Sequence, residues 1–307
     1  MLKRLALLAL PLLALALAVP SAFALEAAIV LSKRSDAQTA FAAALGREIM
    51  ASAAVRLNDA GSTGDSINEA ILKRADVVIA VGADAAEAIA ERSTSPILVA
   101  LISAPNLRAL QQRHPRAKLA GFILDQPLGR HMRLIRATNP KTPRVGVLLG
   151  PQSAAMRSAI AEAGARQGLT MIFETIADTD GLLPALERLL ESSDAILAVP
   201  DSTAYSPATA RPILLTTYRY RKPLFGYSQA YVTAGAIASV FTAPEDAARQ
   251  VGEWLAAQQG AGHIDLPAAE APKYFSVSVN RHVARSLLYP VPDEAALVEA
   301  IDKRRPQ

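Results

Sequence analysis

Two kinds of apolar pattern alternate along this chain. Short runs rich in Val, Ile and Leu are closed by Gly, Pro or hydroxyl residues: "AAIVL" from 27, "DVVIAV" from 76, "PILVALI" from 96, "RVGVLL" from 144, "DAILAV" from 194 and "KPLFG" from 222. Runs of this length and composition read as strands buried on both faces of a parallel sheet. The Ala-rich segments between them carry apolar residues at helical spacing. Ser35 with Gln38 reads as a capping box, Ser153 opens a helix that Gly168 ends, and Thr242 with Glu245 opens another. Pro96, Pro143 and Pro223 stand just before strands, where a missing N–H costs least. The alternation predicts an α/β protein with parallel sheets.

The first 24 residues follow a different rule. Lys3 and Arg4 precede an apolar run from Leu5 to Val19, and Ala22-Phe23-Ala24 then sets small residues around a bulky one. That order predicts a secretory signal peptide, residues 1–24, cut after Ala24. At about 1.5 Å per residue the run would span roughly 22 Å, short of a hydrocarbon core of about 30 Å. The mature chain is expected to be exported, periplasmic and soluble. With no cysteine to carry a lipid, it is expected to be unanchored.

An offset of 118 residues lays two parts of the mature chain over each other. "AIVLSKRS" (28–35) falls on "GVLLGPQS" (146–153), and "ADVVIAVGAD" (75–84) falls on "SDAILAVPDS" (193–202). A third pair, from Pro96 and from Pro223, aligns with nine extra residues in the second copy. Two lobes of one architecture are expected.

In open parallel sheets the ligand crevice lies beyond the carboxyl ends of the strands. In the first lobe those ends supply Ser32, Ser35, Ala83, Asp84 and Ser103. The second supplies Gln152, Ser153, Asp201, Ser202, Tyr227 and Ser228, and Gln126 follows the first lobe's last strand as an amide contact. If the lobes face each other, six such loops line one cleft. The helix starts at Ser35 and Ser153 offer N–H groups to a carboxylate or phosphate, or are simply capped. Asp201 would hold an ammonium group or bind local backbone N–H groups. Tyr227 could stack on a planar ligand, whereas Tyr231 and Phe241 read as core. Arg130, Arg133 and Arg136 form a basic stripe on one helix, read as a solvated face or, alternatively, a contact with an acidic partner.

Composition narrows the chemistry. The absence of cysteine removes disulfides, thiolate metal sites and Cys nucleophiles, and the four histidines share no metal-ligand spacing. No metal or cofactor is expected. Without Lys3 and Arg4 the chain keeps 30 basic against 28 acidic residues, too even a balance for a nucleic-acid groove. Ser228 lies in "GYSQA", which departs from the nucleophile elbow at its last position.

The order of segments resembles the type I periplasmic-binding-protein fold, and within it the ABC-transporter substrate-binding family that includes tryptophan/tyrosine-type binding proteins. "ADVVIAVGADAAEAIA", "SPILVALISAP", "SDAILAVPDS" and "KPLFGYSQAYVTAGAIASV" carry the likeness. The chain departs from the family at Ala83, where a hydroxyl residue is usual, and at Ser103-Ala104-Pro105, where an Asp usually precedes the proline. The resemblance implies three crossings between lobes, with residues 25–122 plus 243–272 in one and 123–242 plus 273–307 in the other. It implies a monomer that closes over a small molecule, an amino acid or small aromatic compound, and delivers it to an ABC permease without catalysis. A sensory module signalling to a membrane receptor or kinase, and a periplasmic enzyme on the same scaffold, are the alternatives.

Overall fold

The computed structural model describes residues 25–50, 55–138, 141, 143–260, 263–268 and 270–302. The expected signal peptide lies outside the described residues. Five strands form the first sheet: β1 (Leu25–Leu31), β2 (Val55–Ser62), β3 (Val77–Val81), β4 (Ile97–Ile102) and β5 (Leu119–Ile123). They run parallel in the order β2-β1-β3-β4-β5. Alternation along β1 divides the core: Ile29 and Leu31 face one side, Ala28 and Val30 the other. Against the first side packs helix α1 (Asp36–Met50) through Phe41 and Leu45. Against the second lie α2 (Glu69–Arg74), α3 (Ala83–Ile89) and α4 (Ala104–Arg113), through Leu72, Ile89 and Leu107.

Helix α5 (Leu128–Thr138) leads into the second lobe. Its sheet contains β6 (Arg144–Leu149), β7 (Thr170–Thr175), β8 (Ala195–Leu197), β9 (Leu224–Gly226), β10 (Ala238–Phe241) and β11 (Ser276–Val279). The order is β11-β10-β9-β8-β6-β7, with only the β10–β11 pair antiparallel. Helices α6 (Arg157–Ala165), α7 (Leu182–Ser192), α8 (Pro207–Arg219) and α9 (Gln229–Ala234) connect these strands. Strand by strand, β7-β6-β8-β9-β10 repeats β2-β1-β3-β4-β5. The 118-residue offset sets β1 on β6 and β3 on β8, so the repetition read in the sequence is a repetition of topology.

The next helix, α10 (Pro244–Ala257), returns to the first lobe, where Ala247, Ala248, Val251 and Leu255 join the α1 side of the core. Two closing helices, α11 (Arg281–Ser286) and α12 (Glu294–Asp302), pack on the second lobe through Ala284, Leu297 and Ile301. The chain therefore passes between the lobes three times: after β5, after β10 and again after Glu270, which bridges Phe122 of β5. No helix among the described residues is long and apolar enough to cross a membrane.

Three capping expectations need correction. Gln38 does not close a box on Ser35; its Oε1 accepts the Lys33 N–H at 2.9 Å. The Ser153 hydroxyl caps no helix, because it is turned to Asp201. Helix α10 begins after Ala243, whose N–H reaches Asp246, and Thr242 is engaged elsewhere. For Ser153 and Thr242 a partner distant in sequence competes successfully for the side chain, whereas Gln38 folds back on the loop before its own helix.

Candidate functional site

A cavity of about 800 Å³ lies between the lobes, within the range of small-molecule sites. The first lobe walls it with Ser35, Asp36 and Gln38 at the start of α1, Leu101 near the end of β4 and Ser103 just after it, and Pro244 and Glu245 at the start of α10. From the second lobe come Pro200 and the run Tyr227–Ala230. Leu124, Asp125, Phe241 and Thr242 close the floor where the chain crosses.

Of the residues expected at the site, Ser35, Ser103, Tyr227 and Ser228 line this cavity. Ser103 and Ser228 also cap α4 and α9, accepting the N–H groups of Asn106 and Tyr231. Tyr227 donates its hydroxyl to the Tyr205 carbonyl at 3.2 Å and forms a ring cluster with Tyr205 and Tyr231. Burial raises all three phenol pKa values, and the Asp201 charge adds to the rise at Tyr227, so the cluster stays neutral.

Others among the expected residues are committed inside their own lobe. Ser32 is buried; its Oγ donates to the Val81 carbonyl and accepts the Ala85 N–H at 2.8 Å. It bridges the loop after β1 to the start of α3, and Gly82 follows at φ 92° with no room for a Cβ beside that Oγ. Asp201 is 3% exposed. Its carboxylate accepts the N–H groups of Gln152, Ser153, Thr203 and Ala204 and the Ser153 hydroxyl, all at 2.9–3.1 Å. Burial pushes this carboxyl up, but the bonds from Ala204, Ser153 and Thr203 outweigh it and hold the pKa below the usual value. The Gln152 side chain accepts the Ser202 N–H across the same two loops. Ala83 sits at the start of α3 and Asp84 on its exposed face, neither against the cavity.

The loops after β3 and β6 thus leave the cavity wall, because their polar groups are spent joining loop to loop. The two lobes do this with roles exchanged. In the first, a serine on the loop after β1 faces a glycine after β3. In the second, an aspartate after β8 faces Gly150 after β6, where a Cβ would collide with the Asp201 carboxylate.

Gln126 lies at the crossing rather than on the wall. Its Nε2 donates to the Thr242 hydroxyl, and its Oε1 accepts from Arg130, which also donates to the carbonyls of Pro272 and Lys273 and lies 4.4 Å over the Phe275 ring. Arg133 donates to the Ile301 carbonyl. Two members of the basic stripe are therefore tied to the crossing segments and to α12.

Against this geometry, the ABC transporter substrate binding protein family matches residues 48–303. The chain belongs to that family. It is thus the binding component of an ABC transporter, working outside the cytoplasmic membrane with a permease partner. No curated protein matches the sequence. Among solved structures, the substrate-binding protein CD0873 from Clostridium difficile, open and ligand-free, gives a TM-score of 0.69 at 14% identity, over 87% of this chain and 96% of that one. An ABC domain in complex with L-Trp from Streptococcus pneumonia gives 0.58 at 19% identity, over 90% and 98%. A conserved domain protein from Vibrio cholerae gives 0.57 at 20% identity, over 89% and 97%. At these identities the likeness establishes the type I periplasmic-binding fold of this substrate-binding protein.

Asp36, Asp125, Glu245 and Leu101 line the cavity of this binding protein without having stood out in its sequence. Of these only Glu245 entered the sequence reading, as the acid that opens a helix together with Thr242. Asp125 follows β5, and the carboxyl-end rule that selected the other loops applies to it equally.

Proposed function

We propose that this protein captures its small molecule in the interlobe cavity, releases it unchanged to an inner-membrane ABC permease, and acts as a periplasmic monomer freed from its signal peptide. The observation that carries the reading is the cavity itself, with walls drawn from both lobes and a floor formed where the chain crosses. A ligand touching both walls favours the closed arrangement by its extra affinity for that form. Three crossings bonded to one another through Gln126, Thr242 and Arg130 give the lobes a common hinge.

The test uses the chain from residue 25 onward, purified from a periplasm, with any bound compound released by denaturation and identified. Added back at about 100 times its Kd, that compound should stabilise the protein by about 2.7 kcal/mol, a shift of several degrees in Tm. Recovery of the compound unchanged supports a binding protein; its turnover would make this an enzyme.

A further inference from the structure

We propose that the ligand is a small organic amine, positively charged and without a carboxylate. The inference rests on the interlobe cavity being the binding site. Three carboxylates line that cavity, Asp36, Asp125 and Glu245, beside the neutral phenol of Tyr227; among the described residues no Lys, Arg or His is on the wall. None of the three forms an ion pair among the described residues. Asp36 and Glu245 are exposed to the cavity side, and Asp125 uses one oxygen to accept the Ala104 N–H at 2.7 Å.

Helix starts compete with these charges. Helices α1, α4, α9 and α10 all begin at the wall, and each N-terminus contributes at most roughly half a positive charge. Four such ends against three full carboxylates leave the wall negative by about one charge. Three of the four ends are also already served: Asp125 takes an N–H of α4, Ser228 caps α9, and Asp246 accepts the Ala243 N–H before α10. An incoming carboxylate would find neither a guanidinium to fork it nor a net positive field. An ammonium group finds two carboxylates on the first-lobe wall and a third, Asp125, on the floor, and the rings of Tyr227 and Phe241 offer a surface for an apolar or aromatic body.

Matched probes separate the charges. Tryptamine and tyramine keep the ring and amine; L-tryptophan and L-tyrosine add a carboxylate; indole-3-acetate and 4-hydroxyphenylacetate lack the amine. Calorimetric titration should show the amines binding at least ~10-fold more tightly than the amino acids, with the acids not binding. A combined Asp36→Asn, Asp125→Asn, Glu245→Gln variant, its Tm close to the parent's, should lose that preference. Saturable binding of an amino acid or acid in preference to the amines overturns the proposal and leaves the cavity reading intact. No response to either amine also overturns it. Amine binding that survives both the triple substitution and Tyr227→Ala places the ligand elsewhere and overturns both readings.

Discussion

Gln126 donates from its Nε2 to the Thr242 hydroxyl across 2.7 Å, joining two of the three segments by which the chain passes between the lobes. The same Thr242 hydroxyl lies 3.4 Å from the Leu124 carbonyl, and Arg130 extends the set to Pro272 and Lys273. Such a set fixes the path of the chain at the hinge without touching most of the cavity. Thr242→Val should remove about 1 kcal/mol of stability and broaden the range of lobe separations. Small-angle scattering of the unliganded protein would register this as a larger radius of gyration.

Asp201 carries the folding of its loops rather than contact with the cavity. Asp201→Ala leaves four backbone donors without their acceptor and should cost about 3 kcal/mol or more. Thermal melting checks it, and a Tm within a degree of the parent's would overturn this role.

The acid side of the stability profile follows from the same residue. Its folded pKa lies below the unfolded value, so its contribution is present above pH ~4 and disappears as the pH falls through the folded value. Asp201→Asn should therefore melt less steeply with acid below pH ~4 than the parent.

His131 gives a second, higher window. It is buried, and desolvation together with the Arg130 charge pushes its pKa down to about 4. The unfolded chain takes up a proton near pH 6.5 that the folded protein refuses until about 4, so stability is full above the first value and declines between the two. The loss approaches about 3 kcal/mol at the bottom of that window. His131→Leu should flatten the Tm profile between these pH values.

Leu101 occupies the left-handed region at φ 52° where β4 carries one residue more than β5 between their paired positions. A branched side chain is strained there by about 1 kcal/mol or more. Leu101→Gly should accordingly be more stable than Leu101→Ala, against the usual order of the two residues, and both should bind ligand more weakly for want of an apolar wall. Equal denaturation midpoints for the two variants would remove the strain argument.

The strands and their repetition were legible because buried parallel strands are nearly pure Val, Ile, Leu and Ala, a local property. The return of α10 to the first lobe came from the family resemblance alone, since Ala247, Val251 and Leu255 fit either core equally well by periodicity. The site was harder. Ser32, Ser153 and Asp201 stand at strand ends just as Ser35 and Tyr227 do, and sequence gives the loop but not the direction of the side chain. Whether a hydroxyl faces the cavity or a neighbouring loop is decided by partners 48 to 53 residues away.

The exchanged bridges, Ser32 against Gly82 and Asp201 against Gly150, have an evolutionary consequence. They divide the strand ends into a fixed half, which cannot be altered without loosening a lobe, and a free half. Asp36, Gln229, Ala230 and Glu245 belong to the free half. A descendant of this protein could take on a different ligand by changing those few positions, while the machinery that shapes each lobe stayed as it is.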